Sequence, residues 1–263
     1  MCLIFFAYDV WDEHALVVAA NRDEFHGRRS ATLHAWDDNP AILAGRDLEA
    51  GGTWLGLHKR GRFAAVTNFR SGGIPGPAPL SRGHLVTDFL QSSWSVEVFI
   101  ERLRPSAQLY NGFNLLLFDG VRMGYFSNRT EPGSVPELLT PGVYGLSNHL
   151  LDTPWPKVVQ GKAEFERLRA AGAPGPQALF DLLSDRRRPD DAALPSTGVD
   201  LQRERNLAPR FIVGDSYGTR CSSVVLLERS GRVAFHEQSY DATGRPSTMV
   251  SLDDQLLASP QTA

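Results

Sequence analysis

The chain has 263 residues and 42% of them are hydrophobic, enough for a packed core and too many for a disordered chain. Its 30 acidic and 27 basic side chains leave a formal charge of −3, without the basic excess that a nucleic-acid binder carries. Two cysteines, Cys2 and Cys221, exclude a disulfide framework, and one of them directly follows the first methionine. In chain order, the apolar runs Cys2–Tyr8 and Ala15–Ala20 flank a polar turn and predict a hairpin. The polar tetrapeptide Asn21-Arg22-Asp23-Glu24 follows that second strand. A further hairpin is predicted at Trp54–Leu57 and Phe63–Thr67, ending in Asn68-Phe69-Arg70. Gly and Pro dominate Ser71–Pro79 and rule out regular structure there. Ser81 and Ser95 precede predicted helices at Leu85–Leu90 and Val96–Leu103, the second stopped by Pro105. A third hairpin, Phe113–Phe118 with Arg122–Ser127, turns at Asp119-Gly120. Val143–Ser147 reads as a short strand delivering Asn148, and Pro156–Ala171 and Pro176–Leu183 have helical spacing. Arg186–Gly198 reads as a surface loop, and strands near Cys221–Leu227 and Val233–Gln238 close the chain. Hairpins segregated from helices predict an α+β layered fold in one domain, residues 1–263.

Neither a secretory signal nor an apolar run of about 20 residues is present, so a cytoplasmic protein without a membrane span is expected. H-E-x-x-H, paired C-x-x-C and phosphate-binding glycine motifs are absent, and no metal site is expected.

Cys2 has two readings. It is either a small hydrophobe opening a strand, or, once Met1 is removed, a nucleophile carrying a thiol and an α-amine on one residue. The reference pKa of such an amine, about 7.7–8.0, leaves a useful neutral fraction near pH 7 to act as base. A hairpin that runs out from Cys2 and back to Asn21 brings Arg22 and Asp23 within reach of Cys2. Arg22 would then lower the thiol pKa or hold a substrate carboxylate, and Asp23 would accept hydrogen bonds from the α-amine. The alternative is a structural Arg–carboxylate cluster. Asn68 and Asn148 are strand-end amides suited either to an oxyanion hole or to capping a turn. Arg220 similarly stands ahead of the last hairpin.

The chain resembles the NRDE family, whose animal members are the transport and Golgi organisation 2 proteins. The matching pieces are Met1-Cys2, Asn21-Arg22-Asp23-Glu24-Phe25, Gly51-Gly52-Thr53-Trp54-Leu55-Gly56, Thr67-Asn68 and Ser81-Arg82-Gly83. They continue through Tyr110-Asn111-Gly112-Phe113-Asn114, Tyr144-Gly145-Leu146-Ser147-Asn148, Thr153-Pro154-Trp155-Pro156-Lys157 and Tyr217-Gly218-Thr219-Arg220. The family layout is in turn similar to N-terminal nucleophile hydrolases, which implies a four-layer αββα sandwich of antiparallel sheets. By that resemblance Cys2 matches the nucleophile. Asp23, Asn68 and Asn148 match catalytic groups, and Asn21, Arg22, Glu24 and Arg220 fall to substrate binding. Arg22 and Asp23 are adjacent here, whereas that branch separates its Arg and Asp by two residues. Cys221 falls where relatives are expected to carry Ser, which implies packing.

Two functions follow as expectations. The first is hydrolysis of an amide or thioester of a small anionic or lipid-like substrate, needing no cofactor. The second, implied by the resemblance, is non-catalytic binding of haem or acyl-CoA in the same pocket, with haem held non-covalently. An interaction scaffold on a hydrolase-derived fold is a third reading.

Overall fold

The computed structural model describes residues 2–72, 76–130 and 137–257. Met1 lies outside them, as do residues 73–75 of the Gly- and Pro-rich stretch. Alternation in one strand divides the molecule into layers. In β1 (Cys2–Tyr8), Ile4 and Phe6 enter one core, while Leu3, Phe5 and Ala7 enter another. Successive side chains of a strand point to opposite faces, so a strand apolar at every position is covered on both.

The remaining elements follow in order. They begin with β2 (His14–Phe25), β3 (Ser30–Trp36), β4 (Asn39–Asp47), β5 (Leu55–His58) and β6 (Arg62–Asn68). Helices α1 (Arg82–Gln91) and α2 (Val96–Leu103) precede β7 (Phe113–Phe118), β8 (Met123–Ser127) and β9 (Gly142–Leu146). Helices α3 (Pro156–Ala170), α4 (Pro176–Leu183) and α5 (Leu201–Leu207) precede β10 (Tyr217–Glu228), β11 (Arg232–Tyr240) and β12 (Pro246–Gln255).

Two six-stranded antiparallel sheets result, in the orders β12-β11-β10-β2-β1-β9 and β3-β4-β5-β6-β7-β8. The central core, including Phe6, Val18, Phe63, Leu116 and Phe235, lies between them. Helices α1 and α2 cover the outer face of the second sheet through Phe89, Phe99 and Leu117. Helices α3 and α4 cover the first through Phe5, Phe165 and Leu182. This is the expected αββα sandwich.

Five elements depart from the sequence reading. The polar tetrapeptide does not follow β2 but is part of it, because Asn21 and Arg22 pair with both β1 and β10, and Asp23 and Glu24 pair with β10. Strands β3, β4 and β12 were not predicted; the last is an edge strand with seven of its ten residues exposed, so no apolar alternation marks it. Helix α5 is only seven residues long, too short to announce a periodicity. Helix α2 ends at Leu103 as expected, and Pro105 falls in the first turn of a 3-10 helix from Arg104 to Leu109, where a missing N–H costs little.

The sheets are fastened together at the end where β1 begins. Thr67 donates its hydroxyl to the Ser147 carbonyl at 2.7 Å, and Asn148 Nδ2 donates to the Asn68 carbonyl at 3.0 Å. The Arg70 amide returns a bond to the Asn148 carbonyl at 2.7 Å. No helix among the described residues is long and apolar enough to cross a membrane.

Candidate functional site

Register places Cys2 directly opposite Arg22, and Arg22 directly opposite Cys221, which in turn faces Ser239. Opposite residues in antiparallel strands share a face, with Cα atoms about 4.5–5.5 Å apart. The four side chains therefore form one row, on the face that carries Ile4, Val18 and Phe235 towards the other sheet. Cys2 and Cys221 are two strands apart, about 10 Å, beyond the roughly 7 Å that a disulfide can bridge. Both are free and buried.

The row opens into a cavity of about 380 Å³. Cys2, Arg22, Asp23, Glu24, Asn68 and Arg220 all line it, so six of the eight residues singled out from sequence converge on one place. The other two do not line it. Asn21 projects to the helix-facing side, as alternation requires, and its amide donates to the carbonyls of Leu183 and Arg210 at 3.0 and 2.8 Å. Its oxygen accepts from Ser222 Oγ at 2.6 Å. With its polar atoms engaged and no exposure, Asn21 is a structural tie and not a substrate contact. Asn148 is equally buried and spends Nδ2 on the Asn68 carbonyl, so it positions Asn68 instead of facing the cavity.

Two lining residues also carry structural duties. Arg220 is the extra residue at a bulge between Thr219 and Cys221. Its Nη1 donates to the carbonyls of Phe25, His26 and Arg28 at 3.0, 3.0 and 3.2 Å, holding the turn after β2. Glu24 lies 3.9 Å from Arg22 and 4.0 Å from Arg28. The Arg22 guanidinium makes no hydrogen bond to a described residue and keeps only that long ion pair, so its donors are available in the cavity. The Asn68 side-chain amide, which also lines the cavity, likewise makes no hydrogen bond to a described residue.

Asp23 alternates away from Arg22. Its Oδ1 accepts from Thr219 Oγ1 at 2.7 Å, and its own carbonyl accepts from Tyr217 at 2.9 Å. Burial raises its carboxyl pKa, and the Lys157 ammonium is the strongest charge opposing that rise. Burial pushes the Cys2 thiol up to about 11; the Asp23 charge adds to the rise and Arg22 opposes it. At neutral pH the sulfur is therefore a thiol, and nucleophilic attack needs a base within reach.

Sequence reasoning gave no role to several residues around the site. Arg82, the first residue of α1, lines the cavity and donates to the Gly112 carbonyl at 3.1 Å. A Cβ at Gly52 would stand 2.6 Å from the Gly83 carbonyl carbon, so only glycine lets the start of α1 approach this closely. Lys157 is buried at the first turn of α3, where the helix dipole disfavours a cation, and donates to the Leu207 carbonyl at 3.0 Å. Glu237 reaches from β11 to accept the Leu33 amide of β3 at 2.8 Å, joining the sheets at the cavity wall. The Ser81-Arg82-Gly83 and Trp155-Pro156-Lys157 pieces were visible as motifs, but Glu237 carried no signal. No group of three or more His, Cys, Asp or Glu among the described residues could hold a metal.

The family model described as Transport and Golgi organisation 2 matches residues 1–242. The chain belongs to that family. The Transport and Golgi organization 2 homolog of Mus musculus is 37% identical over 259 residues, covering 91% of this chain and 93% of the mouse protein. The human homolog gives the same figures. The Drosophila melanogaster Transport and Golgi organization protein 2 is 30% identical over 266 residues, covering 91% and 92%. Among solved structures, a C2A mutant of conjugated bile acid hydrolase from Clostridium perfringens aligns with TM-score 0.46 at 9% identity, covering 96% and 92%. Penicillin V acylase from Agrobacterium tumefaciens aligns with TM-score 0.45 at 12% identity, covering 96% and 86%. The architecture described above rests on the layers themselves and not on these two alignments.

Proposed function

We propose that this Transport and Golgi organisation 2 family member is an N-terminal-cysteine hydrolase that cleaves the amide or thioester bond of a small anionic or lipid-like substrate. The observation that carries this reading is the row Cys2–Arg22 opening into a cavity also lined by Asn68. Removal of Met1 exposes the α-amine of Cys2. The neutral amine takes the S–H proton as sulfur attacks the substrate carbonyl, and Asn68 Nδ2 donates to the developing oxyanion. The C–N or C–S bond then breaks, and the ammonium returns its proton to the leaving group. Water, deprotonated by the same amine, attacks the acyl-enzyme thioester, releasing the acid and restoring the thiol. Asp23 accepts hydrogen bonds from the amine, and Arg22 holds the anionic group of the substrate. Asn148 acts through Asn68. Arg220 acts by holding the turn that carries Glu24.

The test is a screen of N-acyl amino acids and acyl thioesters against Met1-free protein and its Cys2→Ala variant. Turnover that Cys2→Ala abolishes supports the reading, and turnover that survives in Cys2→Ala overturns it.

A second reading, non-catalytic binding of haem or acyl-CoA in the same cavity, is favoured by one observation, the Arg22 guanidinium lining it with only a 3.9 Å ion pair to Glu24 and no hydrogen bond to a described residue. In that case Arg22 meets a propionate or phosphate, and Cys2 is only part of the wall. Soret titration of haem and acyl-CoA binding, each with Arg22→Ala, test it, and an affinity unchanged in Arg22→Ala removes the role of Arg22.

A further inference from the structure

Beside the Cys2 cavity lies a larger one, of about 680 Å³, which shares Glu24, Asn68 and Arg82 with it as a common wall. Its apolar lining comes from Phe25, Phe69, Leu207, Ile212 and Val213. Arg70 also lines it. That guanidinium is 5% exposed, lies over the Trp155 ring at 4.7 Å, and spends Nη1 on Glu204 Oε2 at 2.7 Å. Its other two nitrogens, Nε and Nη2, are buried without a hydrogen-bond partner among the described residues.

Leaving two charged donors of one guanidinium unsatisfied is costly, because each forfeits its hydration without gaining an acceptor. Nε and Nη2 also form one edge of the planar fork, the edge that presents two parallel N–H bonds to a two-oxygen anion. The lining residues supply four arginines (70, 82, 129 and 203) against two acids, Glu24 and Asp215. Glu204 already offsets the charge of Arg70. One added negative charge is therefore accommodated, whereas a dianion would face Glu204 across the same guanidinium.

We infer that this second cavity binds an apolar monocarboxylate, whose carboxylate takes the Nε–Nη2 edge of Arg70 while its hydrocarbon lies against Phe25, Phe69 and Val213. The site is separate from the chemistry assigned to Cys2, and its test reads no turnover, so either can fail alone.

The test is fluorescence titration of the full chain with cis-parinaric acid and with its methyl ester, which keeps the hydrocarbon but cannot accept bidentately. The acid should bind at least roughly tenfold more tightly than the ester, as expected for a charge-assisted pair of hydrogen bonds. Arg70→Lys, which keeps the charge opposite Glu204 and loses the fork, should weaken the acid by a similar factor and leave the ester unchanged. Val213→Arg, at a half-exposed rim position, should weaken both by filling the apolar cavity, and it keeps the proposal testable if Arg70→Lys does not fold. Equal affinity for acid and ester, an unchanged acid affinity in folded Arg70→Lys, an unchanged affinity for both probes in Val213→Arg, or no binding up to the solubility limit of the probe would each overturn the inference.

Discussion

Arg22 and Asp23 are neighbours in sequence that serve opposite faces of one strand. Arg22 joins the row of thiols between the sheets, and Asp23 turns towards the helix layer, where Lys157 is its strongest opposing charge. Lys157 is unusual in being a buried cation at a helix N-terminus, a position that ordinary helix electrostatics disfavours. Burial holds its ammonium down at about 8, against an ordinary 10.5. Between those values the unfolded chain carries the proton and the folded chain does not. Stability from this group therefore rises as pH climbs from about 8 to 10.5, and is lost as pH falls through about 8. Urea unfolding of wild type and Lys157→Met across that window should give a difference, wild type minus variant, that grows with pH. A flat difference would contradict the buried-cation account. At the same scale, Asn21 illustrates what a tetrapeptide conceals. Side-chain type alone suggested a ligand contact, but the strand period sends it to the helix side, where three partners use up its amide.

At the scale of elements, the site depends on close backbone approaches that place a helix against a strand. Gly161 of α3 lies over the Phe5 ring of β1, and a Cβ there would overlap that ring directly. Phe5 is fully buried, so the ring has nowhere to rotate. Gly161→Ala should therefore destabilise the protein by about 1–3 kcal/mol, the usual cost of overpacking a core. The measurement is the chemical denaturation midpoint at constant slope, and a midpoint equal to wild type would mean that α3 can lift off β1 freely. Hairpins and long helices were legible because strong alternation or Pro at the first turn marks them. Strand β12 was not, since an exposed edge imposes no apolar period. Strands β3 and β4 were missed because Gly45, charged ends and interrupted register break their alternation.

For the whole molecule, the sandwich brings residues from positions 2 to 239 to one end, where Thr67, Asn114 and Asn148 tie the sheets together. The layered α+β class could be read from the segregation of hairpins and helices. Six of the eight residues singled out from sequence line the Cys2 cavity. What could not be read was long-range pairing: Arg70 with Glu204, Glu237 with Leu33, and Lys157 with Leu207 are separated by 134, 204 and 50 positions. No local pattern encodes such partners, because they arise only when the sheets close on each other. The central claim, that Cys2 becomes an N-terminal nucleophile, is tested most directly by intact-mass spectrometry of the mature protein, alone and after rapid quenching with an acyl thioester. The account predicts a chain lacking Met1 that gains one acyl group, mapped to Cys2 and absent from Cys2→Ala. A mature chain that retains Met1, or an acyl group that forms equally in Cys2→Ala, would contradict it.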